Sequence, residues 1–168
     1  MARGRIDWLV RRNDMKGNPK VIKAINTMLT EELSAINQYV VHAEMCANWG
    51  FAKLHGSFEK QAMDEMHHAE WLIGRILFLE GTPNIYKLNP IKVGKTISEM
   101  IELGAHAEVD AVRDYNAAIK VSAAEGDAGT KQLLGKILAD EERHVDWAEE
   151  QKDQIERMGL QNYLANQV

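Results

Sequence analysis

The chain of 168 residues contains one cysteine, three prolines and only 7% aromatic residues. A single cysteine, Cys46, excludes an intrachain disulfide framework and leaves the cytoplasm as the default compartment. Cys46 falls in a helical pattern, where it reads as a packing residue rather than a reactive thiol. The scarcity of proline and aromatics disfavours a β-sandwich and suits a mostly helical chain. No apolar run reaches the roughly 18 residues that a membrane span needs, so no membrane association is expected. An excess of positive charge is also missing. Twenty Lys and Arg face twenty-five Asp and Glu, a net charge of −5. That balance gives no basis for a nucleic-acid partner and suits cationic ones. The one basic stretch is the first fourteen residues, where Arg3, Arg5, Arg11 and Arg12 surround Ile6, Trp8, Leu9 and Val10. It lacks the apolar length and cleavage site of a secretory signal. Residues 1–14 therefore read as a basic extension of unassigned role. Residues 15–168 read as one domain, with 45% hydrophobic residues over the whole chain to build its core.

What the chain does have is one acid-and-histidine constellation, written twice. Glu32, Glu65 and His68 recur 76 positions later as Glu108, Glu141 and His144. The same offset relates Tyr39 to Tyr115, Gly50 to Gly126, Asp64 to Asp140 and Trp71 to Trp147. Two copies of Glu…Glu-x-x-His supply four carboxylates and two imidazoles. This is the ligand set of a di-iron or dimanganese site inside a helix bundle.

The apolar periodicity predicts the helices that would assemble it. Asn18 is a candidate N-cap with Pro19 at the first helical position. The 3–4 spacing then runs from Ile22 to about Trp49, with a turn at Gly50. A second helix runs to about Glu80 and ends at Gly81-Thr82-Pro83-Asn84. Residues 81–94 read as a long crossover. A third helix starts at Thr96 or Ser98, residues 126–129 make a turn, and a fourth helix follows. Leu138 and Ile119 are expected to face inward. Gly159 breaks the fourth helix before a short fifth one, Leu160 to about Gln167. Two helical hairpins joined by one long connection make an all-α, ferritin-like four-helix bundle.

Helical geometry places i and i+3 on one face, so Glu65 can aim with His68, and Glu141 with His144. Glu32 and Glu108 each lie 18 residues before a turn glycine, and Glu65 and Glu141 each lie 15 after it. The mismatch is only about 4.5 Å along the axis, so all four helices can present an acid at one level. Four buried carboxylates at one level repel one another, and two divalent cations would neutralise them. Mixed carboxylate and imidazole donors suit iron, manganese or zinc better than magnesium or calcium. A lone Glu-x-x-His is more often a solvated, ion-paired face; the duplication makes this one specific. Glu31, Asp64, Asp110, Asp140 and Glu142 fall off the inner face and read as surface charges, with Glu31 and Glu142 the replacements if the register shifts by one. His42, His55, His67 and His106 read as structural or exposed. Tyr39 and Tyr115 are core tyrosines, or else hydrogen-bond donors and one-electron reservoirs beside the metals, with Trp49 and Trp147 weaker candidates for the second role.

From Met15 onward the sequence resembles bacterioferritin. The resemblance is carried by Met15-Lys16-Gly17, by Glu32-Leu33-Ser34-Ala35-Ile36-Asn37-Gln38-Tyr39, by Asp64-Glu65-Met66-His67-His68-Ala69-Glu70, and by Arg75 to Gly81. Asp140-Glu141-Glu142-Arg143-His144-Val145-Asp146-Trp147 and Met158 to Leu164 complete it. The resemblance implies iron storage and detoxification, with ferroxidase oxidation of Fe(II) by oxygen or peroxide at two iron ions per subunit. Glu65 and Glu141 match bridging carboxylates. Glu32 with His68, and Glu108 with His144, match the terminal ligands. Met66 matches the axial ligand of a b-type haem, one per subunit pair, shared across a two-fold axis. The implied assembly is a cytoplasmic homo-oligomer, a hollow shell of twenty-four subunits, with a second subunit type left open. A ferredoxin-type reductant is the implied partner for iron release. The rival functions are another di-metal enzyme, such as a dimanganese catalase or di-iron oxidase, and a haem-carrying structural shell subunit.

Overall fold

The computed structural model describes residues 16–168. The expected extension at residues 1–14, and its boundary with the domain, fall outside the described residues. Four long helices and one short one follow: α1 (Pro19–Asn48), α2 (Ala52–Phe78), α3 (Ile97–Ala124), α4 (Ala128–Met158) and α5 (Leu160–Ala165). The described residues contain no strand. The all-α, ferritin-like bundle expected from the periodicity is the fold observed.

Local chemistry sets the helix ends. The Asn18 side chain accepts from the Lys20 amide, and Pro19 occupies the first turn, where a missing N–H costs nothing. Thr96 caps α3 by accepting from the Glu99 amide, while Glu99 reaches back to the Lys95 amide at 2.7 Å. Asp127 caps α4 at the Thr130 amide and also accepts from Arg75 of α2 at 2.6 Å, tying the two helices together. Both hairpin turns use a glycine in the left-handed region, Gly50 (φ 84°) and Gly126 (φ 73°).

α1 packs on α2 and α3 on α4; α1 against α3 and α2 against α4 join the hairpins. The crossover from Leu79 to Thr96 runs back along α1. Its Asn84 amide donates to Asn26, its Asn89 amide to Ser34 and its Gly94 amide to His42 Nε2. These anchors climb α1 in steps of eight residues, about 12 Å each. The link thus returns to the bundle end from which an antiparallel α3 must start. His42 is fully buried in this role, which bears out its structural reading.

The core has two apolar clusters. One, around Ile25, Leu72, Ile76, Tyr115 and Leu134, fills the end near the crossover's start. The other, around Cys46, Leu54, Phe58, Ile101 and Tyr163, fills the opposite end, where α5 docks through a Tyr163 hydroxyl donated to Gln151. Ile137 and Ala118 are the buried residues where Leu138 and Ile119 were expected; both predicted residues are partly buried at the cluster edge. The acidic level lies between the two clusters.

Candidate metal centre

Each of the four long helices carries one glutamate into that middle level. Glu32, Glu65, Glu108 and Glu141 are all at most 3% exposed, and the flanking His68 and His144 are 1% and 5% exposed. Their donor atoms form two interlocking quartets. One is Glu32, Glu65, His68 and Glu141; the other is Glu65, Glu108, Glu141 and His144. Within each quartet one atom from every residue lies within 4.8 Å of the others. Glu65 and Glu141 belong to both, so they stand between two adjacent cation positions. The structure brings together all six residues singled out by the repeat.

The histidines face the acids through Nδ1. The His68 Nδ1–H donates to Glu65 at 2.9 Å and lies 3.0 Å from Glu141 and 3.3 Å from Glu32. His144 Nδ1 lies 3.2 Å from Glu65 and 3.7 Å from Glu108. These separations suit ion pairs, yet Glu65 Oε1, Glu141 Oε1 and His144 Nδ1 make no aligned hydrogen bond. Buried polar atoms without partners are costly and rare. All three atoms belong to residues of the two quartets, whose mixed oxygen and imidazole donors fit a pair of transition-metal cations. Two divalent ions would also bring four positive charges to four carboxylates.

Without cations the cluster redistributes protons. Burial, reinforced by Glu65, pushes Glu32 up to about 8. Burial likewise raises Glu108 to about 7, against the charge of the nearby His144 ring. Burial opposes charge on His68, but the facing carboxylates of Glu141, Glu32 and Glu65 outweigh it and hold the ring at about 12. His144 is raised in the same way: burial opposes the charge, and the facing carboxylates of Glu108, Glu141 and Glu65 outweigh it. Positive charge beside the carboxylates is thus supplied by the two imidazolium rings.

The two tyrosines cross between the halves of the repeat. The Tyr39 hydroxyl donates to Glu108, and the Tyr115 hydroxyl donates to Glu32. Each fixes one oxygen of a carboxylate, and the other oxygen faces a histidine: Glu32 Oε2 lies 3.3 Å from His68 Nδ1 and Glu108 Oε2 3.7 Å from His144 Nδ1.

Two acids read as surface charges take a different place. The His68 Nε2–H donates to Asp140 at 3.2 Å, and the His144 Nε2–H donates to Asp64 at 3.4 Å. Each aspartate reaches across to the other hairpin. These bonds fix the ring orientation and keep the proton on Nε2, so that Nδ1 is the atom turned to the glutamates. Both carboxylates sit below the usual range: burial works against the charge, but Lys60 and His144 outweigh it at Asp64, and His68 and Arg143 at Asp140. Their own 76-residue offset was the available signal. Glu31 is also no simple surface charge: one carboxylate oxygen is buried and unpartnered, and burial, then Asp114, raises its carboxyl to about 8. Glu142 is exposed, so no register shift brings it inward. Among the tryptophans, Trp49 is half-exposed and Trp147 packs edge-on to Phe58. Trp71, singled out only as a repeat match, packs against the His68 ring at 5.7 Å with Lys136 over its face.

Met66 stands apart from the centre. It is 40% exposed on α2, three residues after the equally outward Met63, so both share one face.

Fold and site together define a helical-bundle protein with a paired carboxylate–imidazole centre. Residues 22–158 match the family model described as a Ferritin-like domain. A protein of Synechocystis named "Bacterial ferritin" is 43% identical over 155 residues, covering 92% of this chain and 99% of the relative. "Bacterioferritin" of Brucella melitensis is 39% identical over 149 residues, 89% of this chain and 92% of its own. "Bacterioferritin" of Mycolicibacterium paratuberculosis is 38% identical over 154 residues, 92% and 97%. The chain belongs to the ferritin family, on its bacterioferritin side.

Proposed function

We propose that this protein is an iron-storage subunit whose buried centre is a ferroxidase. The observation that carries the reading is the pair of quartets sharing Glu65 and Glu141. Fe(II) is the substrate. Glu32 with His68, and Glu108 with His144, hold one ion each at the outer ends, and Glu65 and Glu141 span both. Two Fe(II) give up one electron each. The two electrons, with two protons, reduce oxygen to hydrogen peroxide or peroxide to two waters. A pair of ions matches this two-electron step, which a single Fe(II) cannot supply.

The protein's own groups manage charge and protons. The Nδ1 protons of both histidines leave as the ions enter, while Asp140 and Asp64 retain the Nε2 protons. Tyr115 and Tyr39 hold one oxygen of Glu32 and Glu108, so each carboxylate can change its binding mode without losing its anchor. The apolar clusters above and below exclude bulk water. Tyr39, in contact with Glu108, is also placed to supply a single electron when only one ion is oxidised.

Met66 offers an exposed, soft thioether on the outer face of α2, a donor suited to haem iron. Paired with the same residue of a second copy, it would hold a b-type haem, which supplies one-electron transfer for returning electrons to stored iron. A closed cytoplasmic shell of twenty-four copies, served by a ferredoxin-type reductant, completes the reading. No helix among the described residues is long and apolar enough to cross a membrane. Aerobic addition of Fe(II) tests the function: rapid oxidation followed by a soluble particle holding many irons per subunit is expected. Oxidation that ends in precipitate, or with no stored iron, would refute it.

A further inference from the structure

Trp71 supplies no ligand atom, yet it touches the centre. Its ring packs against the His68 ring, with centroids 5.7 Å apart and planes tilted by 46°. His68 in turn faces Glu32, Glu65 and Glu141 through Nδ1. The indole is therefore one imidazole away from the carboxylates of the first quartet. It is only partly buried, whereas Tyr39 and Tyr115 are at most 1% exposed. Trp147, its counterpart in the repeat, packs on Phe58.

From α4, the exposed Lys136 places its ammonium 3.5 Å from the centroid of the Trp71 ring. A cation over a π-face stabilises the electron-rich ring and opposes a positive charge on it. Loss of an electron from Trp71 is then favoured only together with loss of the indole N–H proton to solvent.

Resting on the reading of the centre as a ferroxidase, we propose that Trp71 is a one-electron donor to the cation position of Glu32 and His68, and that Lys136 restrains it. Trp71 acts when that position holds the subunit's only Fe(II) and hydrogen peroxide arrives. The peroxide takes one electron from Fe(II) and one from the indole. The indole N–H proton, passed through solvent, and one further solvent proton complete two waters. Fe(III) and a neutral indolyl radical remain. Without the second electron the same peroxide would release a hydroxyl radical, because one Fe(II) supplies only half of the reduction. Lys136 keeps the indole reduced while a second Fe(II) can give that electron instead.

The test uses metal-free protein carrying ring-deuterated tryptophan, given one Fe(II) per subunit without oxygen and then one equivalent of hydrogen peroxide. Freeze-quenched EPR reads the radical, since deuteration narrows an indolyl signal and leaves a tyrosyl signal unchanged. Peptide mass mapping locates the oxidised ring, and a spin trap reads hydroxyl radical. An indolyl signal and oxidation at Trp71 are expected. Trp71→Phe should remove that signal and raise the trapped hydroxyl radical, and Trp147→Phe should leave the signal in place. Lys136→Met removes the cation, and the indolyl yield should rise about two- to fivefold. The lysine variant decides the matter if Trp71→Phe disturbs the fold. A tyrosyl signal alone, an indolyl signal that survives Trp71→Phe, or a yield that Lys136→Met lowers or leaves unchanged would overturn the proposal. Failure of the unmodified protein to oxidise two Fe(II) per subunit with peroxide would instead refute the ferroxidase reading itself.

Discussion

Because Glu65 lies in both quartets and Glu32 in only one, replacing them should have unequal effects on metal-linked stability. A cation that binds only the folded state stabilises it by about 2.7 kcal/mol at a hundredfold excess over Kd. Two sites give roughly 5 kcal/mol. For a chain of this size each kcal/mol moves Tm by about 2–4 °C, so saturating Co(II) should raise Tm by roughly 10–20 °C. Glu32→Gln removes one quartet and should keep about half of that increment. Glu65→Gln removes the shared carboxylate and should lose nearly all of it. Without metal, Glu65→Gln should itself destabilise the protein by about 3–5 kcal/mol, because it removes a carboxylate that faces the buried His68 and His144 rings, so each variant's increment is measured against its own metal-free Tm. The assay is thermal unfolding with and without Co(II) at one protein concentration. Equal residual increments in the two variants would refute the shared position of Glu65.

Metal binding must strip the imidazolium protons and any proton on Glu32 or Glu108, whose carboxyls are held at about 8 and about 7. Titration calorimetry in buffers of different ionisation heat should report about two or more protons released per metal pair at pH 7, and affinity should fall with acid; release near zero would contradict the protonated, metal-free centre. Asp127→Ala removes the α4 cap and the Arg75 partner, and denaturant unfolding should show a loss of about 1–2 kcal/mol. Burial works against the Asp127 charge, but Thr130 and Arg75 hold its folded value below 3.8, so that contribution is complete above 3.8 and fades as pH falls through the lowered value; a difference that instead grew in acid would be the wrong sign. Met66→Leu should abolish haem absorbance and leave Fe(II) oxidation intact, whereas persistent absorbance would assign haem to another residue.

The six central residues were legible because two independent regularities agree on them. The helical period puts Glu65 with His68 and Glu141 with His144, and the 76-residue offset aligns the two hairpins in depth. Relations within one helix, or between equivalent helices, are what periodicity encodes. Asp64 and Asp140 escaped it because each acts on a histidine of the opposite hairpin. Their value depends on how α2 and α4 face each other, which no single helix records. Glu31 escaped for a similar reason, since the crossover, an aperiodic segment, runs beside it. Ile137 and Ala118 show the limit on the inner face, where a one-residue rotation separates a buried position from an edge. Met66 lies at the opposite extreme: its place on the outer face followed from its offset to Glu65, but its role rests on the resemblance alone.

The most direct test is diffraction at the iron edge from crystals loaded anaerobically with Fe(II). Two anomalous peaks per subunit are expected, both beside Glu65 and Glu141, one toward Glu32 and His68 and the other toward Glu108 and His144. A single peak, or iron bound only outside the four-helix core, would contradict the centre.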